Sequence, residues 1–219
     1  MKPQAAIFDM DGLLIDSEPL WHEAAGEVFA AFGIQLSEEE YRSTTGMRSK
    51  EFVEWWFSKK NVPGEEAAMA NMLICRNVTD RVRLRGRALP GIQHIFNFFI
   101  NKKFPIGLAS SSPTELIEVV VDKLGIRPHL QAITSAASLP LGKPHPQVYL
   151  NCAEQLGVPP AACIAFEDSF HGLIAAKAAG MKCVVVPSQH DSKDLRFHAA
   201  DLKISSLQNF NELLMQTLP

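Results

Sequence analysis

Short apolar runs alternate with stretches of helical spacing along most of this chain. From Pro90 onward the β-rich runs are Phe104 to Ala109, Gln131 to Ser135, Cys163 to Phe166, Lys182 to Val186 and Asp201 to Ile204. With the N-terminal run Ala5 to Phe8, they predict a parallel sheet of about five or six strands with helices on both faces, an α/β, Rossmann-like core. Punctuation between the runs supports the intervening helices. Ser112-Pro113-Thr114-Glu115 reads as a capping box with proline at the first helical position, opening a helix that stops at Gly125. A second helix is expected from near Pro146 to just before Gly157, and a third from Ser169 to Gly180.

Residues 18–85 break this rhythm. Between the first strand and Pro90 the pattern predicts no strand, only helices: Pro19 to Phe32, a segment opened by the capping box Ser37-Glu38-Glu39-Glu40, Lys50 to Lys60, and Glu65 to Arg83. Ordinary connections between strands and helices run about 2 to 6 residues, so this block reads as an inserted all-helical cap domain. The remaining segments, 1–17 and 86–219, form the α/β core. Entering just after Asp9 and Asp11, the insert is expected to stand over them as a lid that excludes water. Trp55, Trp56 and Phe57 read mainly as helix packing within it.

Composition narrows the partners. The chain has 219 residues, 47% of them hydrophobic, and a formal net charge of −3. That charge gives no basic footprint for nucleic acid or anionic lipid, so a phosphate-bearing partner is expected to be a small molecule. No apolar run approaches the roughly 20 residues of a membrane span, and the N-terminus runs straight into the first strand with no signal peptide. A cytoplasmic protein with no evident obligate protein partner is the expectation. Cys75, Cys152, Cys163 and Cys183 show no C-x-x-C spacing and read as free thiols, three of them in apolar-periodic segments.

The candidate chemistry starts at Asp9-Met10-Asp11-Gly12, directly behind the run Ala5-Ala6-Ile7-Phe8. In an open α/β sheet ligands bind where strands end. Two carboxylates one residue apart need a compensating cation or shared proton, and oxygen donors suit magnesium. One carboxylate then serves as nucleophile and its protonated neighbour delivers a proton to the leaving oxygen. Later strand ends add matching parts. Ser110 and Ser111 follow Ala109 as phosphate donors. Lys143, between Gly142 and Pro144, offers a point charge that neutralises phosphate and restrains the nucleophile. Glu167-Asp168 supplies a second acidic pair before Ser169 and Gly172. His145 and His171 have no partner at triad or metal-ligand spacing, and neither is assigned a role.

Taken in order, these segments resemble the haloacid dehalogenase superfamily, in its phosphatase branch with a helical cap after the first strand. Ile7 to Pro19 and Lys143-Pro144-His145-Pro146 carry the likeness, which covers essentially the whole chain. The first of these segments, with Leu89-Pro90-Gly91 and Gly107-Leu108-Ala109-Ser110, looks most like the bacterial 2-deoxyglucose-6-phosphate and hexitol phosphatases. The resemblance implies that Asp9 is the nucleophile that becomes aspartyl-phosphate, and Asp11 the general acid and later the base for water. It implies Mg2+ held by Asp9, the Asp11 backbone carbonyl and Asp168, with Glu167 farther out. Ser110, the Ser111 backbone and Lys143 become the phosphate clamp. Arg48, in the cap segment Gly46-Met47-Arg48, becomes a candidate contact for a sugar hydroxyl or second phosphate. The expected activity is hydrolysis of small phosphorylated sugars or sugar alcohols. A phosphosugar mutase of the beta-phosphoglucomutase type is the alternative. Sugar mutases of this family carry a cap-side histidine where Trp21 stands here, with His22 one residue off.

Overall fold

The computed structural model describes residues 2–218. Strand β1 (Ala5–Phe8) is followed by β2 (Ile15–Asp16) and four helices, α1 (Glu18–Ala30), α2 (Glu38–Arg42), α3 (Ser49–Lys59) and α4 (Ala67–Arg85). Next come β3 (Arg87–Ala88), α5 (Ile92–Asn101), β4 (Ile106–Ser110), α6 (Thr114–Leu124), β5 (Ala132–Ser135) and α7 (Gln147–Leu156). The chain closes with β6 (Cys163–Glu167), α8 (Phe170–Ala178), β7 (Lys182–Val185), β8 (Leu202–Lys203) and α9 (Glu212–Thr217). Six strands form one parallel sheet in the order β5-β4-β1-β6-β7-β8, the Rossmann-like arrangement the alternation predicts.

Period two decides which side chain goes to which face of β1. Ala5 and Ile7 join a cluster with Tyr149, Cys152 and Leu173 from α7 and α8, while Ala6 and Phe8 face α5 and α6. On that second face the Phe8 ring stacks on Phe96 at 5.2 Å and on Phe166 at 4.8 Å. Each such pair adds about 0.5–1.5 kcal/mol beyond the area buried, so β1 is anchored at the residue just before Asp9.

Within residues 18–85, α1 and α3 both pack on α4, and α4 packs in turn on α6. Phe29 stacks on Phe52 at 5.3 Å, and Trp56 and Phe57 are buried, whereas Trp55 is exposed. The Ser37 capping box forms, with Ser37 Oγ accepting from Glu40 N at 3.2 Å and Glu40 Oε2 accepting from Ser37 N at 2.9 Å. Cys152, Cys163 and Cys183 are buried free thiols and Cys75 is half-buried. Among the described residues no helix is long and apolar enough to cross a membrane.

Two expectations are corrected. A strand pair does occur before Pro90: Ile15 pairs antiparallel with Ala88, and Asp16 with Arg87. Two residues per strand leave no alternation to read. The pair ties together the points where residues 18–85 leave and rejoin the chain. The Ser112 capping box does not form either. Pro113 occupies the N-cap of α6, with no side-chain cap, and the Ser112 hydroxyl donates to Asp11 Oδ2.

Candidate active site

β1 lies between β4 and β6, and the chain runs outward from it in opposite directions on the two sides. Such a reversal opens a crevice at the carboxyl ends of the strands. Asp9 N donates to Phe166 O at 3.0 Å, extending the β1 pairing by one residue and fixing the Asp9 backbone. The turn that follows needs glycine. Gly12 has φ +70°, and a Cβ there would lie 2.1 Å from Asp168 Oδ2. Asp168, just past β6, is thereby brought against the Asp9–Gly12 loop.

Behind Asp9 sits a buried lysine. Lys143 Nζ donates to Asp9 Oδ1 at 2.5 Å, to Glu167 Oε1 at 2.6 Å and to the Ala109 carbonyl at 3.1 Å, which uses its three protons. The Tyr149 hydroxyl donates to Glu167 Oε1 at 2.6 Å. Glu167 Oε2 accepts from Ser169 Oγ at 3.2 Å and from the backbone N of Asp168 at 3.2 Å and Ser169 at 3.4 Å. Lys143 therefore orients the Asp9 carboxylate, and both Glu167 oxygens are engaged in holding Lys143 and the β6–α8 turn. The Ser169 hydroxyl also caps α8, accepting from Gly172 N at 3.1 Å.

Asp11 is gripped by three donors. Ser17 Oγ donates to its Oδ1 at 2.6 Å, Trp21 Nε1 to the same oxygen at 3.1 Å, and Ser112 Oγ to Oδ2 at 2.7 Å. Ser110 Oγ reaches Oδ2 only at 3.5 Å and accepts from Ser112 N at 3.0 Å. Ser111 Oγ donates to the Gly46 carbonyl at 2.9 Å, across to the helical segment.

Asp9, Glu167 and Asp168 each place a carboxylate oxygen within 4.8 Å of the others. Lys143 is the cation that touches this cluster. Burial pushes the Asp9 carboxyl well above the usual carboxylate range; Glu167 and Asp11 push it further while Lys143 opposes them. Asp168 is raised in the same way, first by burial and then by Asp9, Glu167 and Glu18. For Lys143 burial works against the charge, but Asp9 and Glu167 outweigh it and hold the ammonium well above its ordinary value. Three carboxylates against one ammonium leave an excess of negative charge, and the donors are all oxygen. A hard divalent cation fits such a set. Since Glu167 is already engaged, Asp9 and Asp168 are the side chains able to hold it.

In front of these groups lies a cavity of about 70 Å³, several times the room one water needs. Asp9, Asp11, Ser111, Ser112 and Asp168 line its floor; Glu18, Trp21, Tyr41, Thr44, Thr45, Ser49 and Phe52 line the side formed by residues 18–85. Glu18 has no hydrogen-bond or ion-pair partner among the described residues, and burial, then Asp11, Asp191 and Asp16, push its carboxyl up to about 7. Ser110 and Lys143 sit behind the floor rather than on it.

Arg48 is not at the cavity, which corrects its candidate role as a substrate contact. Its guanidinium is buried and turned toward the loop before Lys143, donating to the carbonyls of Ala136 at 3.0 Å, Leu139 at 2.5 Å and Pro140 at 3.3 Å, and to Glu51 Oε1 at 2.5 Å. Carbonyls and Glu51 engage both terminal nitrogens of this planar five-donor group, while its buried Nε has no partner among the described residues.

Sequence reading misses Ser17, Glu18, Trp21, Ser112, Tyr149 and the bracing role of Glu167. Tyr149 carries a usable signal. It sits on the apolar face of a helix just after the Lys143 loop, and a buried phenol requires a partner.

Comparisons with known proteins agree with this geometry. Residues 3–180 match the family model described as haloacid dehalogenase-like hydrolase. The chain is 42% identical over 204 residues to hexitol phosphatase B of Escherichia coli (strain K12), covering 93% of this chain and 92% of that protein. It is 30% identical over 205 residues to a phosphorylated carbohydrates phosphatase of Thermotoga maritima, covering 88% and 89%. Among solved structures, a beta-phosphoglucomutase from Clostridium difficile superposes with a TM-score of 0.86 at 25% identity, over 98% of this chain and 96% of that one.

Proposed function

The chain belongs to the haloacid dehalogenase-like hydrolases and is a sugar-phosphate phosphatase, a phosphoric monoester hydrolase; we propose that it hydrolyses hexose and hexitol monophosphates through an aspartyl-phosphate on Asp9. The observation that carries this reading is the convergence of Asp9, Asp11, Ser111 and Asp168 on one cavity floor, with Lys143 braced against Asp9. The 42% identity to hexitol phosphatase B supports the choice of substrate. In this reading residues 18–85 act as the cap and residues 1–17 and 86–219 as the catalytic core.

Lys143 fixes Asp9 Oδ1, which leaves the other oxygen to attack phosphorus. As that bond forms, the bond from phosphorus to the sugar oxygen breaks, and Asp11 gives the leaving oxygen its proton. Asp11, then ionised, takes a proton from the water that hydrolyses the acyl phosphate and so regains its starting form. The Ser111 backbone on the cavity floor binds the phosphoryl group, while Lys143 and Ser110, buried behind the floor, hold Asp9 and Asp11 in place. Asp9, the Asp11 carbonyl and Asp168 would hold a magnesium ion, which when bound would neutralise charge on the phosphate.

A phosphosugar mutase is the second reading, favoured by the likeness to the beta-phosphoglucomutase structure. Against it, Trp21 spends its indole N–H on Asp11 and His22 lies outside the cavity, beside Glu38 at 3.8 Å.

The test is turnover of p-nitrophenyl phosphate and a panel of sugar and polyol phosphates with magnesium. Asp9→Asn is expected to abolish turnover, because an amide can neither attack phosphorus nor hold the cation as well. Near wild-type kcat in that variant would show the covalent mechanism to be wrong.

A further inference from the structure

The half of the cavity that faces away from Asp9 contains no lysine, arginine or histidine among the described residues. Its polar groups are hydroxyls, from Tyr41, Thr44, Thr45 and Ser49, and one carboxylate, Glu18. Trp21 and Phe52 supply flat apolar faces between them. Thr44 Oγ1 donates to the Tyr41 carbonyl and accepts from Trp56 Nε1, and Ser49 Oγ pairs with Cys75 Sγ, which leaves the Tyr41 and Thr45 hydroxyls with Glu18; set against aromatic faces, these suit the alternating C–H and O–H surfaces of a polyol.

The nearest candidates for a second anion site are already occupied. Arg48 spends its fork on three carbonyls and Glu51. In the wider mouth outside the cavity, Arg42 pairs with Glu38 at 4.0 Å, and Arg196 pairs with Asp194 at 2.6 Å while lying over the Phe170 ring at 4.8 Å. Glu18 lines both the cavity and this mouth. A substrate seated with its scissile phosphate at Asp9 therefore directs its far end past an unpaired carboxylate, into a mouth whose two arginines are already paired and whose other basic groups are His22, His171 and His190.

We propose that this site accepts only substrates whose leaving group is an uncharged polyhydroxy compound, and that Glu18 sets this specificity by accepting from a hydroxyl and repelling a second anionic group. The proposal rests on the phosphatase reading and narrows it. Glu18 is half-buried, so removing this like-charge contact relieves a penalty between the large one of a desolvated site and the small one of water.

The experiment compares sorbitol 6-phosphate with 6-phosphogluconate, which share one carbon skeleton and differ at C1, an alcohol in one and a carboxylate in the other. At pH 8 with magnesium, wild-type kcat/KM is expected to favour sorbitol 6-phosphate by about 10- to 100-fold. Glu18→Gln should cut that ratio about tenfold, mainly through a lower KM for 6-phosphogluconate. Glu18→Asp, which keeps the charge, should retain most of the ratio. Equal kcat/KM for the two substrates in the wild type, or a ratio unchanged in Glu18→Gln, overturns the proposal while leaving the phosphatase reading intact. Failure to hydrolyse either compound, or any other phosphate monoester, overturns both.

Discussion

Asp11 is a carboxylate whose orientation is set by three side chains from three places in the chain: Ser17 at the start of α1, Trp21 one turn further on, and Ser112 beyond β4. The sequence places Asp11 beside Asp9 but is silent about this grip, because two of its members read as something else. Ser112 has the spacing of a helix cap, and Trp21 reads as the residue that stands where the family's sugar mutases carry a histidine. Their donors meet Asp11 only through the tertiary approach of α1 and of the β4–α6 turn. The grip fixes where the Asp11 carboxyl points, and the proposed acid role is tested by kinetics. Asp11→Asn should lower kcat on a sugar phosphate by about 10² to 10⁴-fold, and by much less on p-nitrophenyl phosphate, whose leaving group scarcely needs a proton. Trp21→Phe keeps the ring and loses the N–H, so the same substrate-dependent pattern should follow at about tenfold, the value of one hydrogen bond to a charged group. Steady-state kinetics on both substrates checks this; equal losses on the two esters in Asp11→Asn would remove it from the acid role.

Among the secondary-structure elements, the sheet was legible and its small attachments were not. The six strands fall within a few residues of the apolar runs that predict them, since a strand buried on both faces is an unbroken apolar run. By contrast, β2 and β3 are too short to leave a period. The contact between β6 and α8 has no sequence signal beyond a glycine. At Gly172, in the first turn of α8, an added Cβ would lie 1.9 Å from Glu167 Oε1 and 2.0 Å from its Cδ. The helix can approach the strand end only because this residue has no side chain. Gly172→Ala should therefore displace Glu167, and with it Lys143, rather than merely crowd a surface. The expected result is a loss of about 1–3 kcal/mol in stability, the usual cost of overpacking, together with a fall in kcat larger than the change in KM. Chemical denaturation paired with kinetics reads both. A stable variant with unchanged kcat would mean that Glu167 does not brace the nucleophile.

For the molecule as a whole, the fold gathers acidic groups at one rim, and the cost depends on pH. Burial carries Asp9 and Asp168 well above the usual carboxylate range, and carries Glu18 from its ordinary 4.5 to about 7. When an acid is raised in the folded chain, the unfolded chain gives up that proton first as the pH climbs. The associated stability is thus complete below the ordinary value and is lost as the pH rises through the raised one. For Glu18 that window runs from 4.5 to about 7. Metal-free protein should accordingly have a lower Tm at pH 8 than at pH 5. A divalent cation bound at this rim should reverse the sign, because it would bind the ionised carboxylates and compete with protons for them. At a hundredfold excess over Kd the gain is about 2.7 kcal/mol, or roughly 5–10 °C for a chain of this size. The increment from magnesium should be largest at pH 8 and shrink toward pH 5, and Asp168→Asn should remove most of it. Thermal melts in EDTA and in excess magnesium at the two pH values measure each part. An increment that is absent, or equal at pH 5 and pH 8, would mean that the Asp9–Asp168 pair is not where the cation binds.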